Sequence, residues 1–310
     1  MNRRNLLGLA LVGSLTAGLA ACGSGDDPLA ADTGSGDSTG TSAVIVGSAN
    51  FPESELLAEM YSQVLENAGV EVQRKFNIGA RELYLKALQD GSIDLLPEYN
   101  GALLAALSDG GAPEGVSAPE DVLGALQEVL PEGTEVLEQS SAEDKDTLTV
   151  SRATATQYNL TTLADLAPVA GQLVAGGGPE FQERYQGLVG LKEVYGIEFK
   201  EYRPLDAGGP LTVGALADGT IQVANLFSTD SSIKVNDFVP LEDPESLFLA
   251  ENIIPLIRSS KNNQTITDAL NGFSAVLTTE NLTEYLAKVQ IDKQQTAAVA
   301  TEFLTANGLV

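Results

Sequence analysis

Two short segments of the sequence carry residue types that could hold a small ligand, and each stands at the end of a predicted buried strand. Residues 97–101, Pro-Glu-Tyr-Asn-Gly, follow the apolar run Ile93–Leu96, and residues 227–230, Phe-Ser-Thr-Asp, close the run Ile221–Phe227. An aromatic ring beside a few polar groups is typical of a binding pocket. Because ligands of open α/β sheets bind beyond the carboxyl ends of the strands, the two segments predict two walls of one cleft.

Composition excludes the mechanisms that depend on histidine or on a disulfide. The chain contains no His, no Trp and one Cys. A His general base, a His-bound metal and an internal disulfide are therefore excluded, and we expect neither a metal nor another cofactor. These counts favour a binding protein over an enzyme. Ser and Lys residues leave a Ser–Lys hydrolase of the cell envelope as the alternative.

Charge narrows the class of ligand. The 310 residues include 43 Asp and Glu against 17 Lys and Arg, which gives a formal net charge of -26. Such a surface repels phosphate backbones, so nucleic acid is not an expected partner. A cationic ligand, or one without net charge, fits better.

The N-terminus has the features of an export signal. Arg3 and Arg4 precede the apolar stretch Leu6–Leu19, which is too short for a typical membrane span. The stretch ends in Leu-Ala-Ala-Cys at Cys22, which resembles the lipobox at which bacterial lipoproteins are cleaved. We therefore expect a signal peptide over residues 1–21 and a diacylated Cys22. The alternative is an ordinary signal peptide with a chance Cys.

Residues 22–42 are expected to be a disordered, lipid-anchored tether, because they are small and polar and offer nothing to bury. This organisation predicts a protein held at the extracytoplasmic face of a bacterial cell membrane. A monomer is expected, since a tether and a hinge need no partner chain.

Downstream of residue 43, predicted strands and helices alternate, which indicates an α/β fold. Residues 147–150 predict a strand that leaves a first lobe, and residues 252–257 predict one that returns to it. We therefore expect lobe 1 from residues 43–146 and 251–310, and lobe 2 from residues 147–250. Within lobe 2 the pattern predicts a strand over Val169–Ala175 and a helical stretch over Glu180–Tyr195.

An internal similarity supports two lobes of like construction. Residues 87–93, Ala-Leu-Gln-Asp-Gly-Ser-Ile, recur as residues 215–221, Ala-Leu-Ala-Asp-Gly-Thr-Ile. Each predicts a helix end, an Asp-Gly turn and a strand start. Chance similarity is the alternative, because Asp-Gly is common in turns. Two such lobes facing each other would close over a ligand by a hinge motion.

Several segments resemble the substrate-binding lipoproteins of osmoprotectant ABC transporters. They are residues 47–53, Gly-Ser-Ala-Asn-Phe-Pro-Glu, residues 91–101, and the Ser-Thr-Asp of residues 228–230. The resemblance implies a two-lobed type II periplasmic binding protein with two crossover strands and a ligand cleft between the lobes. It also implies a receptor that captures glycine betaine, carnitine, choline or a related compatible solute and delivers it to a membrane permease.

The resemblance assigns candidate residues around the onium group, which this family holds in a cage of aromatic rings. Tyr99 matches the Tyr of the Pro-Glu-Tyr motif, and Phe227 stands where a Tyr often precedes Ser-Thr-Asp. Asp146 and Glu251 fall where aromatic residues are usual. The alternatives are core packing for the two rings and solvation for the two acids.

The anion-binding side departs further from the family pattern. Ala49 replaces a common Lys and Ala102 replaces a common Thr, while Arg184 matches a carboxylate-binding Arg. Pairing of Arg184 with Glu180 or Glu183 is the alternative for that residue. With less base and more acid than a betaine receptor, the pocket favours choline or another carboxylate-free amine.

Two further residues complete the candidate site. Asn50 either caps the helix that follows it or lines the cleft, and Thr229 either helps to cap the next segment or lines the cleft. At the level of function, two alternatives remain open: a different polar or aromatic ligand on the same fold, and a lipid-anchored ligand sensor.

Overall fold

The computed structural model describes residues 43–108, 111, 113 and 115–310. The signal peptide, Cys22 and the tether expected from the sequence lie outside the described residues. None of the described helices is both long enough and apolar enough to cross a membrane.

The described residues form ten strands and twelve α-helices. The strands are β1 (Val44–Gly47), β2 (Val72–Lys75), β3 (Leu95–Tyr99), β4 (Thr134–Val136), β5 (Asp146–Ser151), β6 (Val174–Gly177), β7 (Glu201–Pro204), β8 (Val223–Phe227), β9 (Phe238–Pro240) and β10 (Ile253–Arg258). The helices are α1 (Pro52–Asn67), α2 (Arg81–Gln89), α3 (Asn100–Leu107), α4 (Pro119–Val129), α5 (Arg152–Tyr158), α6 (Leu163–Leu166), α7 (Gly190–Tyr195), α8 (Pro210–Ala217), α9 (Ser231–Val235), α10 (Gln264–Val276), α11 (Thr279–Gln290) and α12 (Thr296–Ala306).

The strands form two sheets of the same topology, one in each lobe. The first sheet has the order β2-β1-β3-β10-β4 and the second has the order β7-β6-β8-β5-β9. In each sheet four of the five strands run in one direction, and the fourth strand in this order runs antiparallel to its two neighbours. That fourth strand is the one that crosses between the lobes: β5 enters the second sheet, and β10 returns to the first. The predicted two-lobed α/β fold with two crossover strands is confirmed.

The repeated Asp-Gly segment forms the same turn in both lobes. The carboxylate of Asp90 accepts a hydrogen bond from the amide of Ser92 at 2.8 Å, and that of Asp218 accepts one from the amide of Thr220 at 2.8 Å. Gly91 and Gly219 both adopt a positive φ, of 80° and 77°, which a residue with a Cβ avoids. Each turn ends one helix, α2 or α8, and leads into the strand that reaches the cleft, β3 or β8.

The core of the first lobe is centred on α1. Most of this helix is buried, because α10, α11 and α12 cover the side that does not face the sheet. Aromatic contacts join the layers: the ring of Phe273 packs edge-on against Tyr61 at 5.2 Å between centroids and lies 5.8 Å from that of Phe303. The C-terminal helices therefore hold the helix whose first turn faces the cleft.

Of two predictions for the second lobe, one has the wrong strand start and the other holds only in part. The strand expected from residue 169 begins only at Val174, after a short 3₁₀ turn. The helix expected over residues 180–195 is broken into a 3₁₀ turn, a wide π-type turn and α7. The interruption lies at Gln186 and Gly187, whose dihedral angles are not helical. Glycine fits at residue 187 because a Cβ there would lie 2.1 Å from the carbonyl oxygen of Phe181.

Candidate ligand-binding site

Three aromatic rings stand in a row across the cleft. Tyr99 ends β3, Phe51 immediately precedes α1, and Phe227 ends β8 in the other lobe. The centroid of the Phe51 ring lies 6.1 Å from that of Tyr99 and 5.0 Å from that of Phe227, with which it stacks. Tyr99 and Phe227 are thus brought together as predicted. Phe51 was missed as a site residue, although it lies in the motif of residues 47–53.

The antiparallel crossover strands bring carboxyl groups to the same place. Register pairs Asp146, the first residue of β5, with Phe227 at the end of β8. In the first sheet Tyr99 pairs with Ile253, two residues after Glu251. β3 and β8 each end in an aromatic residue, and each lies beside a crossover segment that contains an acidic residue. The sheet topology therefore brings aromatic rings and carboxyl groups together at the cleft.

One small cavity, partly open to solvent, collects eight of the nine candidate ligand-binding residues. The eight are Ala49, Asn50, Tyr99, Ala102, Asp146, Arg184, Phe227 and Glu251. The same wall includes residues that the sequence reasoning did not select, namely Phe51, Ala80, Arg81, Tyr84, Asp144, Glu180 and Ala207. Thr229 lies in an adjoining small cavity. The binding roles of the nine residues stay predictions.

Of the two helix caps considered from the sequence, one is absent and one is present. The N-cap of α1 is Phe51, and no side chain caps it, so the capping role considered for Asn50 is wrong. Asp230 does cap α9, because its carboxylate accepts the amide hydrogen of Ser232 at 2.8 Å. Thr229 instead points across the cleft to the first turn of α1.

A buried ion pair supports the cleft from the first lobe. The Arg81 guanidinium donates through Nε and Nη2 to the two carboxylate oxygens of Glu98, at 2.8 and 3.0 Å. The hydroxyl of Tyr84 and the amide of Tyr99 also donate to Glu98, at 2.6 and 2.7 Å. Glu98 is completely buried, and its negative charge raises the pKa of Arg81 well above its usual range, although burial alone would lower it. Arg81 therefore stays charged, and its Nε and Nη2 donors are occupied by Glu98.

Arg184 reaches across the cleft. Its Nε and Nη2 donate to the two carboxylate oxygens of Glu82 on α2, at 3.0 and 3.2 Å. The alternative of pairing with Glu180 or Glu183 is not what the structure shows, because the broken helix turns Arg184 away from its own element. Arg184 thus joins the lobes, and its planar donor edge is occupied by a carboxylate of the protein.

The acids at the cavity wall lack comparable partners. Burial raises the pKa of Glu251 well above its usual range, and the nearby charge of Asp146 raises it further. Burial also raises the pKa of Asp146, and the hydrogen bond from the Asn225 amide, at 2.7 Å, opposes that change. Among the described residues no group hydrogen-bonds to Oε1 of Glu251, which is buried. A cation in the cavity would stabilise the ionised form of both groups.

The first turn of α1 contributes a third acid. Glu53 is buried; its Oε1 accepts the Tyr99 hydroxyl hydrogen at 2.7 Å, and its Oε2 accepts the hydroxyl hydrogen of Thr229 from the other lobe. Asp144 accepts the amide hydrogen of Thr229 at 3.0 Å. The contacts between the lobes around the cavity therefore include these bonds, the Arg184–Glu82 pair and the Phe51–Phe227 stack.

The arrangement suits reversible binding of a small solute rather than catalysis. Where the chain is described, no three His, Cys, Asp or Glu side chains form a group that could hold a metal ion. Rings offer their negative faces to a cation, and carboxyl groups add Coulombic attraction. Two lobes of like topology, joined by two crossover strands around such a cavity, define the class of two-lobed type II periplasmic binding proteins.

The chain belongs to the family described as the substrate-binding domain of ABC-type glycine betaine transport systems, whose model matches residues 42–306. It is accordingly the extracytoplasmic substrate-binding receptor of an ABC importer and not an enzyme, as the resemblance implied. The match spans both sheets and the C-terminal helices, and hence the whole described cleft.

Relatives of known name agree with this assignment. The carnitine transport binding protein of Listeria monocytogenes is 25% identical over 270 residues, which cover 84% of this chain and 86% of the relative. The glycine betaine-binding protein of Escherichia coli K12 is 26% identical over 282 residues, 86% of this chain and 91% of the relative. A crystal structure of a glycine betaine/carnitine/choline ABC transporter component matches the fold with a TM-score of 0.66 at 23% identity, covering 86% of this chain and 99% of that one.

Proposed function

We propose that this receptor captures a small quaternary-ammonium solute without a carboxylate, of which choline is the simplest, by closing its two lobes. The supporting observation is the composition of the cavity wall. It combines four aromatic residues, Phe51, Tyr84, Tyr99 and Phe227, with four carboxyl groups, those of Asp144, Asp146, Glu180 and Glu251.

The charge balance of the wall supports the preference over glycine betaine. Both guanidinium groups of the cavity are already paired, Arg81 with Glu98 and Arg184 with Glu82. A ligand carboxylate would meet unpaired acids and would have to displace one of these pairs. A trimethylammonium group has no N–H to donate, so ring faces and dispersion hold it, at about 2 kcal/mol for each desolvated ring contact.

Each candidate residue has a distinct role within this proposal. Tyr99 and Phe227 contact the onium group, and Asp146 and Glu251 face its charge and accept any hydroxyl hydrogen. Ala49, Asn50 and Ala102 shape the wall, and Arg184 holds the lobes together through Glu82. Thr229 contributes indirectly, through the contacts between the lobes.

A thermal-shift screen of the purified protein tests the ligand class. Choline, carnitine and glycine betaine are compared with a polyamine, amino acids and a neutral aromatic compound. We expect choline to raise the melting temperature, since a ligand at 100 times its dissociation constant adds about 2.7 kcal/mol of stability. A shift with the neutral aromatic compound alone contradicts the proposal.

We further propose that the protein is a monomeric lipoprotein, anchored through Cys22 after removal of residues 1–21, with residues 22–42 as the tether. The expected division into lobe 1 (residues 43–146 and 251–310) and lobe 2 (residues 147–250) places both boundaries at the crossover segments. The motif at residues 19–22 supports the anchor. Membrane fractionation tests it, because a Cys22→Ser variant should leave the membrane for the soluble fraction.

A further inference from the structure

Thr229 connects two buried carboxyl groups, those of Glu53 and Asp144. Its hydroxyl donates to Glu53 on α1, and its backbone amide donates to Asp144, which precedes β5. Glu53 is 2% exposed and Asp144 is 2% exposed. Asp144 lies in the crossover segment that pairs with the end of β8. Glu53 lies in the first lobe, so the bond from Thr229 to Glu53 is the one that exists only while the lobes are together.

Glu53 also fixes the ring of Tyr99. The Tyr99 hydroxyl donates to Oε1 of Glu53 at 2.7 Å, while Thr229 occupies Oε2. One carboxyl group therefore holds the candidate onium-binding ring with one oxygen and the opposite lobe with the other. Any displacement of the lobe changes the group that orients the ring.

The side chains that surround Glu53 and Asp144 in the described structure are acidic or uncharged. The adjoining small cavity includes Asp230, the N-cap of α9, and no basic side chain lines it. The neighbouring Lys145 is half-exposed and pairs with Glu143 at 3.1 Å, and Glu98 is committed to Arg81. Two ionised carboxylates buried side by side without a cation are strongly unfavourable.

The pKa directions agree with this geometry. Burial raises the pKa of Asp144 well above its usual range, and the charge of Glu53 adds to the effect. Burial also raises the pKa of Glu53, with Asp230 adding and the bonds from Thr229 and Tyr99 opposing. When the lobes separate, water reaches both groups and these causes disappear.

We propose that Glu53 is a positioning residue that joins the ring of Tyr99 to closure of the lobes, and that Glu53 and Asp144 share one proton only in the closed molecule. Closure then takes up a proton from solvent. This inference rests on the proposed function, because it takes ligand binding as the event that closes the lobes.

The sign of the pH dependence follows from the raised pKa values of the closed form. The proton favours closure fully below the ordinary carboxyl range, and this advantage is lost as the pH rises through the raised values. Ligand affinity should therefore fall as the pH rises, by up to about tenfold per pH unit for one proton taken up.

The test uses the full chain and choline as the probe. Isothermal titration in buffers of different ionisation enthalpy gives the number of protons taken up on binding, and titrations between about pH 5.5 and about pH 8 give the affinity profile. Cation binding near Glu251 and Asp146 releases protons, so the informative quantity is the difference between variants.

In Asp144→Asn we expect uptake to fall by close to one proton and the affinity profile to flatten. Asp121→Asn, which removes an exposed acid from α4, should keep the wild-type values.

Small-angle scattering of the ligand-free chain gives a second readout that needs no ligand. The wild-type particle should become more compact at low pH, whereas Asp144→Asn and Glu53→Gln should have the same dimensions at both ends of the range. Equal proton numbers in the wild type and Asp144→Asn, with choline bound by both, overturn the inference. No choline binding together with pH-dependent compaction rejects the proposed ligand and keeps the proton-linked closure.

Discussion

Replacing Arg81 by alanine is expected to lower the free energy of unfolding by about 3–5 kcal/mol, the cost of leaving a buried charge without its partner. Glu98 is completely buried and makes two short hydrogen bonds to Arg81. After the substitution only the Tyr84 hydroxyl and the Tyr99 amide remain to hold the carboxylate. Urea denaturation of the purified variant and the wild type measures the difference.

An exposed pair of the same geometry provides the matched control. Arg152 donates through Nε and Nη2 to Asp237 at 3.1 and 2.8 Å, but both side chains are mostly exposed to solvent. Arg152→Ala should leave the denaturation midpoint unchanged, because solvent replaces the pair. The double variant Arg81→Met/Glu98→Met should be more stable than Arg81→Ala. If Arg81→Ala and Arg152→Ala unfold at the same urea concentration, the buried pair does not have the assigned role.

Replacing Tyr99 by alanine is expected to weaken choline binding at least tenfold, which corresponds to about 1.4 kcal/mol. The ring is 6% exposed at the end of β3, beside Phe51, and it closes one side of the cavity. Its loss removes a desolvated face for the cation and also the hydroxyl that holds Glu53. Calorimetric titration of the folded variant measures the change.

The control for this variant is a ring away from the cleft. Tyr158, in α5, packs against the core of the second lobe and does not line the cavity. Tyr158→Ala should change the choline affinity less than threefold, about 0.65 kcal/mol, whatever it costs in stability. An unchanged isotherm for Tyr99→Ala would remove this residue from the binding site.

Most of the fold could be predicted because its signals are local. The period of the apolar residues predicts α2 over Arg81–Gln89 and α10 over residues 264–276, with the bounds that the structure has. The repeated Asp-Gly turn indicated two lobes of like construction. The helical stretch expected over residues 180–195 holds only in part, because the backbone leaves the helical conformation at Gln186 and Gly187. Helix α3 was missed because an apolar segment that follows a strand without a break has no start signal.

The site was predictable where a strand end or a motif marks it, as for Tyr99 and Phe227. Arg81 carries no such signal, and Glu53, although it ends the motif of residues 47–53, was not selected because an acid in the first turn of a helix is usually solvated. Their roles follow from partners far along the chain, Glu98 for Arg81 and Thr229 for Glu53. The pairing of Arg184 with Glu82, 102 residues away in sequence, was unpredictable for the same reason.

The central claim is that rings and unpaired carboxyl groups, rather than basic groups, select the ligand. Side-by-side calorimetric titration of the purified protein with choline and glycine betaine tests it most directly. The structure leads us to expect one choline per chain, bound at least tenfold more tightly than glycine betaine, a difference of about 1.4 kcal/mol. Equal affinities, or tighter binding of glycine betaine, would contradict the account.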